Sequence, residues 1–268
     1  MTPSIGRRTA IRAAALALAV PYVYSANAEI AVSTAINRSG RLRALSQRCA
    51  KAYGQELLGV LPEHAREIAL TCLRLIAVNL DELNKGGAPT EVARLVQQAA
   101  TAAGGLRTLM GRERTRDGLL AVSRQADVLL DSAEQATSAY EALGKSGSAK
   151  LVNLCGRQRM LSQRMTKNYF LLAAGHQAKA TREQIEADRA AFAQALHQLN
   201  AAPLSTSGIR NELVLAQSQW LFFEAALGKP ADAESLRNVA TTSERLLETM
   251  NNLTELYDGA LKDLLGKT

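Results

Sequence analysis

The chain has 268 residues and a formal net charge of +7, from 32 Lys and Arg against 25 Asp and Glu. Aromatic residues are 4% and Pro occurs six times, and strand-length runs of β-branched or aromatic residues are missing, which excludes a sheet protein and indicates an all-α fold. Three His and three Cys, with no CxxC, HxxxH or HExxH pair, give no basis for a metal site or a haem, so no cofactor is expected.

Arg7, Arg8 and Arg12 precede an apolar stretch from Ala13 to Val20, and Ala26-Asn27-Ala28 has the form of a cleavage site. Residues 1–28 therefore read as a signal peptide, with Arg7-Arg8 hinting at twin-arginine export to the periplasm. The apolar run is short for a membrane span, which disfavours the competing reading of an uncleaved anchor. Helices follow at Glu29–Leu58, from Pro62 to about Asn84, from Thr90 to about Met110, and from about Asp117 to Leu143. Gly104-Gly105 is expected to kink or end the third. After the Gly/Ser joint at 144–148 come helices at about Ala149–Ala174, from a capping-box spacing at Thr181 to about Ala201, after the 203–208 loop to Leu227, and at about Asp232–Leu264.

The chain repeats itself. Residues 36–53 and 152–169 match at ten of eighteen positions at a constant offset of 116, sharing Asn, Gly, Arg, Arg, Leu, Ser, Gln, Arg, Lys and Tyr. The ends match as well, at offset 117: Leu129-Leu130-Asp131, Thr137 and Tyr140 parallel Leu246-Leu247-Glu248, Thr254 and Tyr257. Short connections make neighbouring helices antiparallel, giving two tandem antiparallel four-helix bundles, 29–144 and 145–268. The linker allows them to pack side by side as an internal pseudo-dimer or to stack end to end.

Charge concentrates on the repeated helices. Residues 30–55 hold five basic and no acidic residues, and residues 142–182 hold eight and none. Two acid-free basic helices on an acidic body make a focused field for an anion. At about 100° per residue, Leu42, Leu45, Cys49 and Tyr53 share one side of the first helix, and Leu154, Leu161, Met165 and Tyr169 share the corresponding side of the second. Ile36, Gly40, Arg43 and Gln47 lie opposite, as do Val152, Gly156, Arg159 and Gln163. Asn37, Arg41 and Arg48, and likewise Asn153, Arg157 and Arg164, border this stripe.

Gly one turn before Arg leaves room for a close approach, and the planar guanidinium suits a flat oxyanion. Two such stripes face to face would form a clamp. The candidate ligand-binding residues are Arg159, Gly156, Asn153 and Gln163, with Arg43, Gly40, Asn37 and Gln47. Facing away from its own core, Arg159 is expected to be dispensable for folding. Cys49, Cys72 and Cys155 can form at most one disulfide and read best as buried core residues.

The Asn-x-x-Gly-x-x-Arg-Met-x-Ser-x-Arg run, read at Asn153–Arg164, resembles the periplasmic sensor domain of PilJ-type chemotaxis transducers, and is similar to the input domain of nitrate/nitrite sensor kinases. The first copy departs from it at Arg38, Ser39 and Ala44 and has no counterpart of Trp220-Leu221-Phe222-Phe223. The resemblance implies a four-helix sensor domain in which the Arg three residues after the Gly, here Arg43 and Arg159, binds nitrate between paired first helices. The reading is a periplasmic sensor or ligand-binding protein for a small anion, nitrate or nitrite, signalling through a separate membrane transducer. The alternative is an interaction module without a small ligand, docking its basic helices on a membrane-associated, type IV pilus or chemotaxis partner. No nucleophile–base pair or phosphate loop supports an enzyme. Export and the lack of aromatics among the basic residues disfavour nucleic acid. A homodimer is the other way to pair the first helices.

Overall fold

The computed structural model describes residues 8–144, 147–176 and 178–266. Eight helices account for them: α1 (Arg8–Leu57), α2 (Pro62–Lys85), α3 (Thr90–Met110), α4 (Arg116–Leu143), α5 (Gly147–Ala173), α6 (Lys179–Asn200), α7 (Ser207–Leu227) and α8 (Ala233–Gly266). Among the described residues there are no strands, and no helix is long and apolar enough to cross a membrane. Residues 1–7 of the expected signal peptide and Lys145 and Ser146 of the expected joint lie outside the described residues.

The helix ends follow local chemistry. Pro62 starts α2, where its missing N–H costs nothing, after Leu61 turns the chain at a φ of +49°. The Thr115 and Asp232 side chains, at equivalent places in the repeat, accept from Gly118 N and Ser235 N and cap α4 and α8. Three expected boundaries shift. Instead of starting at Glu29, α1 is continuous from Arg8. Nor does α3 break at Gly104-Gly105. A Cβ at Gly105 would stand 2.8 Å from Gln125 Nε2, so this glycine gives the Gln125 amide room to donate to Ala102 O. Helix α6 begins at Lys179, ahead of the Thr181 capping spacing, because the Ala178 carbonyl already accepts from Thr181 N.

Helices α1–α4 form one antiparallel unit and α5–α8 a second, and the units lie side by side along α1 and α5. The equivalent Tyr53 and Tyr169 hydroxyls donate to the Glu113 and Lys229 carbonyls and pin the far end of each unit. Helix α1 packs on α2, α4 and α5, and α5 on α1, α6 and α8, so the repeated helices are central and buried nearly all round. They run parallel, with equivalent positions opposite each other. Gly54 and Phe170 are such a pair, and a Cβ on Gly54 would stand 3.0 Å from the Phe170 Cβ. Two identical residues at this position would clash or leave a gap, whereas Gly against Phe interdigitates.

The cysteines are buried thiols. Cys49 and Cys72 lie together between α1 and α2, where their interaction pushes the Cys49 thiol up and the Cys72 thiol down, and burial pushes the Cys155 thiol up.

Candidate functional site

The α1/α5 seam gathers the repeated polar residues. Arg43 Nη2 donates to Asn153 Oδ1 at 2.7 Å, and Arg159 Nη2 donates to Asn37 Oδ1 at 3.0 Å. Each unit's Arg thus reaches the other unit's Asn. A Cβ built on Gly156 would lie 3.1 Å from Arg159 Nη2 and 3.5 Å from Arg43 Nη2, so both guanidiniums pass beside this glycine. Gly40 has its own Arg43 Nη2 at 2.9 Å by the same measure. The two cations converge on one spot, and the glycines are what let them.

Below them the scaffold is rigid. Ser46 and Ser162 hydroxyls donate back to the Arg43 and Arg159 carbonyls. Gln47 and Gln163 amides donate to Ala126 O on α4 and Ser243 O on α8. The two Gln side chains therefore tie each central helix to its own unit, and neither reaches the Arg pair as the sequence reading placed them. The sequence also leads one to expect Arg159 to be dispensable for folding. The structure corrects this: Arg43 and Arg159 face away from their own cores but are 0% and 1% exposed, because the other unit covers them.

A second crossed set lies about two turns on, eight residues after each Arg. Lys51 of the first unit pairs with Glu244 on α8, and Lys167 of the second pairs with Asp127 on α4 at 2.6 Å. Both ammoniums are buried and held below their usual range by it. Burial would raise the Glu244 carboxyl, but Lys51 and Arg48 outweigh it and hold it at about 2. Arg164 pairs within its own unit, to Asp188 at 2.6 Å. Position 188 is Cys72 in the first unit, which lacks that carboxylate, so Arg48 turns across the seam to Glu244. Arg41 lies 3.9 Å from Glu255, and Arg157 is exposed.

The two Arg differ in one respect. Arg43 Nη1 donates to Glu134 Oε2 at 2.5 Å, a carboxylate that offsets part of its burial. The equivalent residue in the second unit is Asn251, and Arg159 Nη1 reaches only its amide oxygen, at 3.4 Å. Arg159 Nε is buried with no hydrogen-bond partner, and no carboxylate lies within 4.0 Å of this guanidinium among the described residues. Burial, with Arg41 and Arg43 adding repulsion, pushes its pKa down to about 9, so it stays protonated at neutral pH. A buried cation without a counter-ion is costly. Glu134 and Asn251 lay outside the sequence reading. The signal for them was the matched α4 and α8 ends, where offset 117 sets one against the other.

Asn37 and Arg41 also line a polar cleft of about 320 Å³ between α1 and α2, with Arg38, Asn79 and Glu82. Asn37 thus stands between this cleft and Arg159. Among the described residues no three His, Cys, Asp or Glu side chains gather as a metal site.

Residues 144–246 match the family described as the type IV pili methyl-accepting chemotaxis transducer N-terminal domain, PilJ. This span takes in α5, α6, α7 and part of α8 and contains Asn153, Gly156 and Arg159. No curated protein and no solved structure matches the chain.

Proposed function

We propose that this chain, whose 144–246 region is a PilJ-type domain, is a periplasmic sensor module that binds one small oxyanion, of the nitrate or nitrite class, between its two units. The observation that carries the reading is the uncompensated Arg159: a fully buried guanidinium with an unpartnered Nε and an Asn where its counterpart has a Glu. A monovalent anion there supplies the missing charge. Its oxygens replace the Asn37 and Asn251 amide oxygens as acceptors, and charge-assisted bonds of this kind are about twice as strong as neutral ones. Arg43, already neutralised by Glu134, contributes a donor from the facing helix rather than a second site.

In this reading the first unit is a second, diverged PilJ-type copy, and the pair does within one chain what two identical domains would do as a dimer. An anion entering through the cleft must displace Asn37 from Arg159. That movement changes the α1/α5 contact, which is the signal available to a membrane transducer. The amino-terminal segment acts as an export signal to the periplasm.

Calorimetric titration of the protein with nitrate, nitrite, phosphate and sulfate at low salt tests this. One equivalent of nitrate or nitrite per chain is expected, with no binding to Arg159→Met. Absence of heat with every anion would remove the ligand and leave a module that docks on a partner.

A further inference from the structure

Helix α7 is apolar on two faces. Leu213, Ala216, Trp220 and Phe223 face the core of the second unit, with Trp220 stacked on Phe192 at 4.3 Å. On the other side Val214, Leu221 and Phe222 are 65%, 64% and 64% exposed, and Leu215 is 43% exposed. At about 100° per residue these four, with Ser218 and Ala225 between them, fall within one stripe of about 120°. A stripe of that width is what a helix shows to a packing partner, and among the described residues nothing covers this one.

The first unit supplies an internal control. Helix α3 occupies the same place, and at offset 117 its buried Val92, Val96, Ala99 and Leu106 match the buried Ile209, Leu213, Ala216 and Phe223. The exposed positions do not match. Gln97, Gln98, Thr101 and Gly104 stand where α7 has Val214, Leu215, Ser218 and Leu221. The fold is therefore satisfied with a polar surface here, and the apolar stripe of α7 is not a requirement of the bundle.

The stripe is also a palindrome about Ser218. Val214 and Phe222 lie four residues to either side, and Leu215 and Leu221 lie three to either side. Two α7 helices laid antiparallel across a two-fold axis would set Val214 against the second copy's Phe222 and Leu215 against its Leu221. The small Ser218 would meet itself at the crossing, where close approach is needed. A two-fold interface must be self-complementary in this way. The flanking charges agree with it. Arg210 and Glu224 lie on the same flank near opposite ends of the helix, so the antiparallel pairing brings Arg210 of each copy toward the Glu224 that already pairs with Arg189 at 3.2 Å in the other.

We propose that the exposed face of α7 is a self-association surface, on which two copies of this chain pair antiparallel about a two-fold axis beside Ser218. This pairing is separate from the α1/α5 seam and leaves the Arg159 site inside each chain.

The test is sedimentation equilibrium of the whole protein from about 5 to 200 µM, with three variants. The wild type is expected to reach twice its chain mass in this range. Leu221→Lys combined with Phe222→Lys is expected to remain monomeric with unchanged helicity, since both side chains are solvent-facing. Ser218→Cys is expected to give a covalent dimer on mild oxidation, and Thr101→Cys, its counterpart on α3, to give none. A monomer at every concentration, a dimer that survives the double Lys change, or equal cross-linking at 101 and 218 would overturn the proposal. Flotation of a monomeric wild type with anionic vesicles, lost in the Lys variant, would assign the face to a membrane and overturn it too.

Discussion

Replacing Asn251 by Glu gives the second unit the carboxylate that the first already has. In the first unit Glu134 sits 2.5 Å from Arg43 Nη1, and in the second the Asn251 amide is 3.4 Å from Arg159 Nη1. A unit charge pair at about 4 Å is worth about 4 kcal/mol at an effective dielectric of about 20. Glu134 is 40% exposed, so solvent screening and the desolvation of the new carboxylate reduce this to a net of about 1–2 kcal/mol. For a chain of this size that raises the melting temperature by about 3–6 °C. The same carboxylate competes with an external anion for Arg159, and affinity falls by at least about 100-fold, the loss of roughly 3 kcal/mol. The reverse change, Glu134→Asn, strands the buried Arg43, lowers stability by about 2–3 kcal/mol and creates a second anion site. Scanning calorimetry with and without nitrate, followed by titration, reads all of these effects. If Asn251→Glu leaves both the melting temperature and the affinity unchanged, Arg159 is not an uncompensated cation and the reasoning fails.

Glu244→Ala strands Lys51, which is fully buried, together with Arg48, and should cost about 3–4 kcal/mol in a urea melt. Asp127→Ala, whose carboxylate is 46% exposed, should cost only about 1 kcal/mol at Lys167. The Glu244 carboxyl is held at about 2 against an ordinary 4.5. Its contribution of up to about 3 kcal/mol is therefore complete above pH 4.5 and disappears as the pH falls toward 2, a slope that Glu244→Gln should flatten. Gly156→Ala places a methyl 3.1 Å from Arg159 Nη2. It should weaken nitrate binding about tenfold while moving the melting temperature little, because the obstructed atoms are the ends of flexible side chains.

Much of the architecture was legible because the repeat is. Matching Tyr, Thr and Leu positions at offsets of 116 and 117 placed the helices and their order, and the helical periodicity separated Arg43 and Arg159 from their own cores. Helical periodicity stops at the single helix, however. It cannot say that a stripe turned away from one bundle is covered by another, which is why Arg159 read as dispensable and is in fact buried. The Gln pair illustrates the same limit: Gln47 and Gln163 lie on the Arg stripe by angle, yet reach sideways to carbonyls of α4 and α8. The crossed Lys51–Glu244 and Lys167–Asp127 pairs were hidden for a different reason. The lysines matched in the repeat, but their partners lie on another unit's last helix, and no local pattern couples them. Departures from the repeat proved as informative as the matches. Gly54 against Phe170, Cys72 against Asp188 and Glu134 against Asn251 are the places where two copies, once joined, could take different roles.

The central claim is that one anion sits beside Gly156 on Arg159. The most direct measurement is a crystal grown in nitrate at low ionic strength, with the planar anion located in difference density. The account predicts one strong peak per chain within hydrogen-bonding reach of Arg159, with Asn37 moved aside and no equivalent peak at Arg43. A seam without such a peak at saturating nitrate would contradict it.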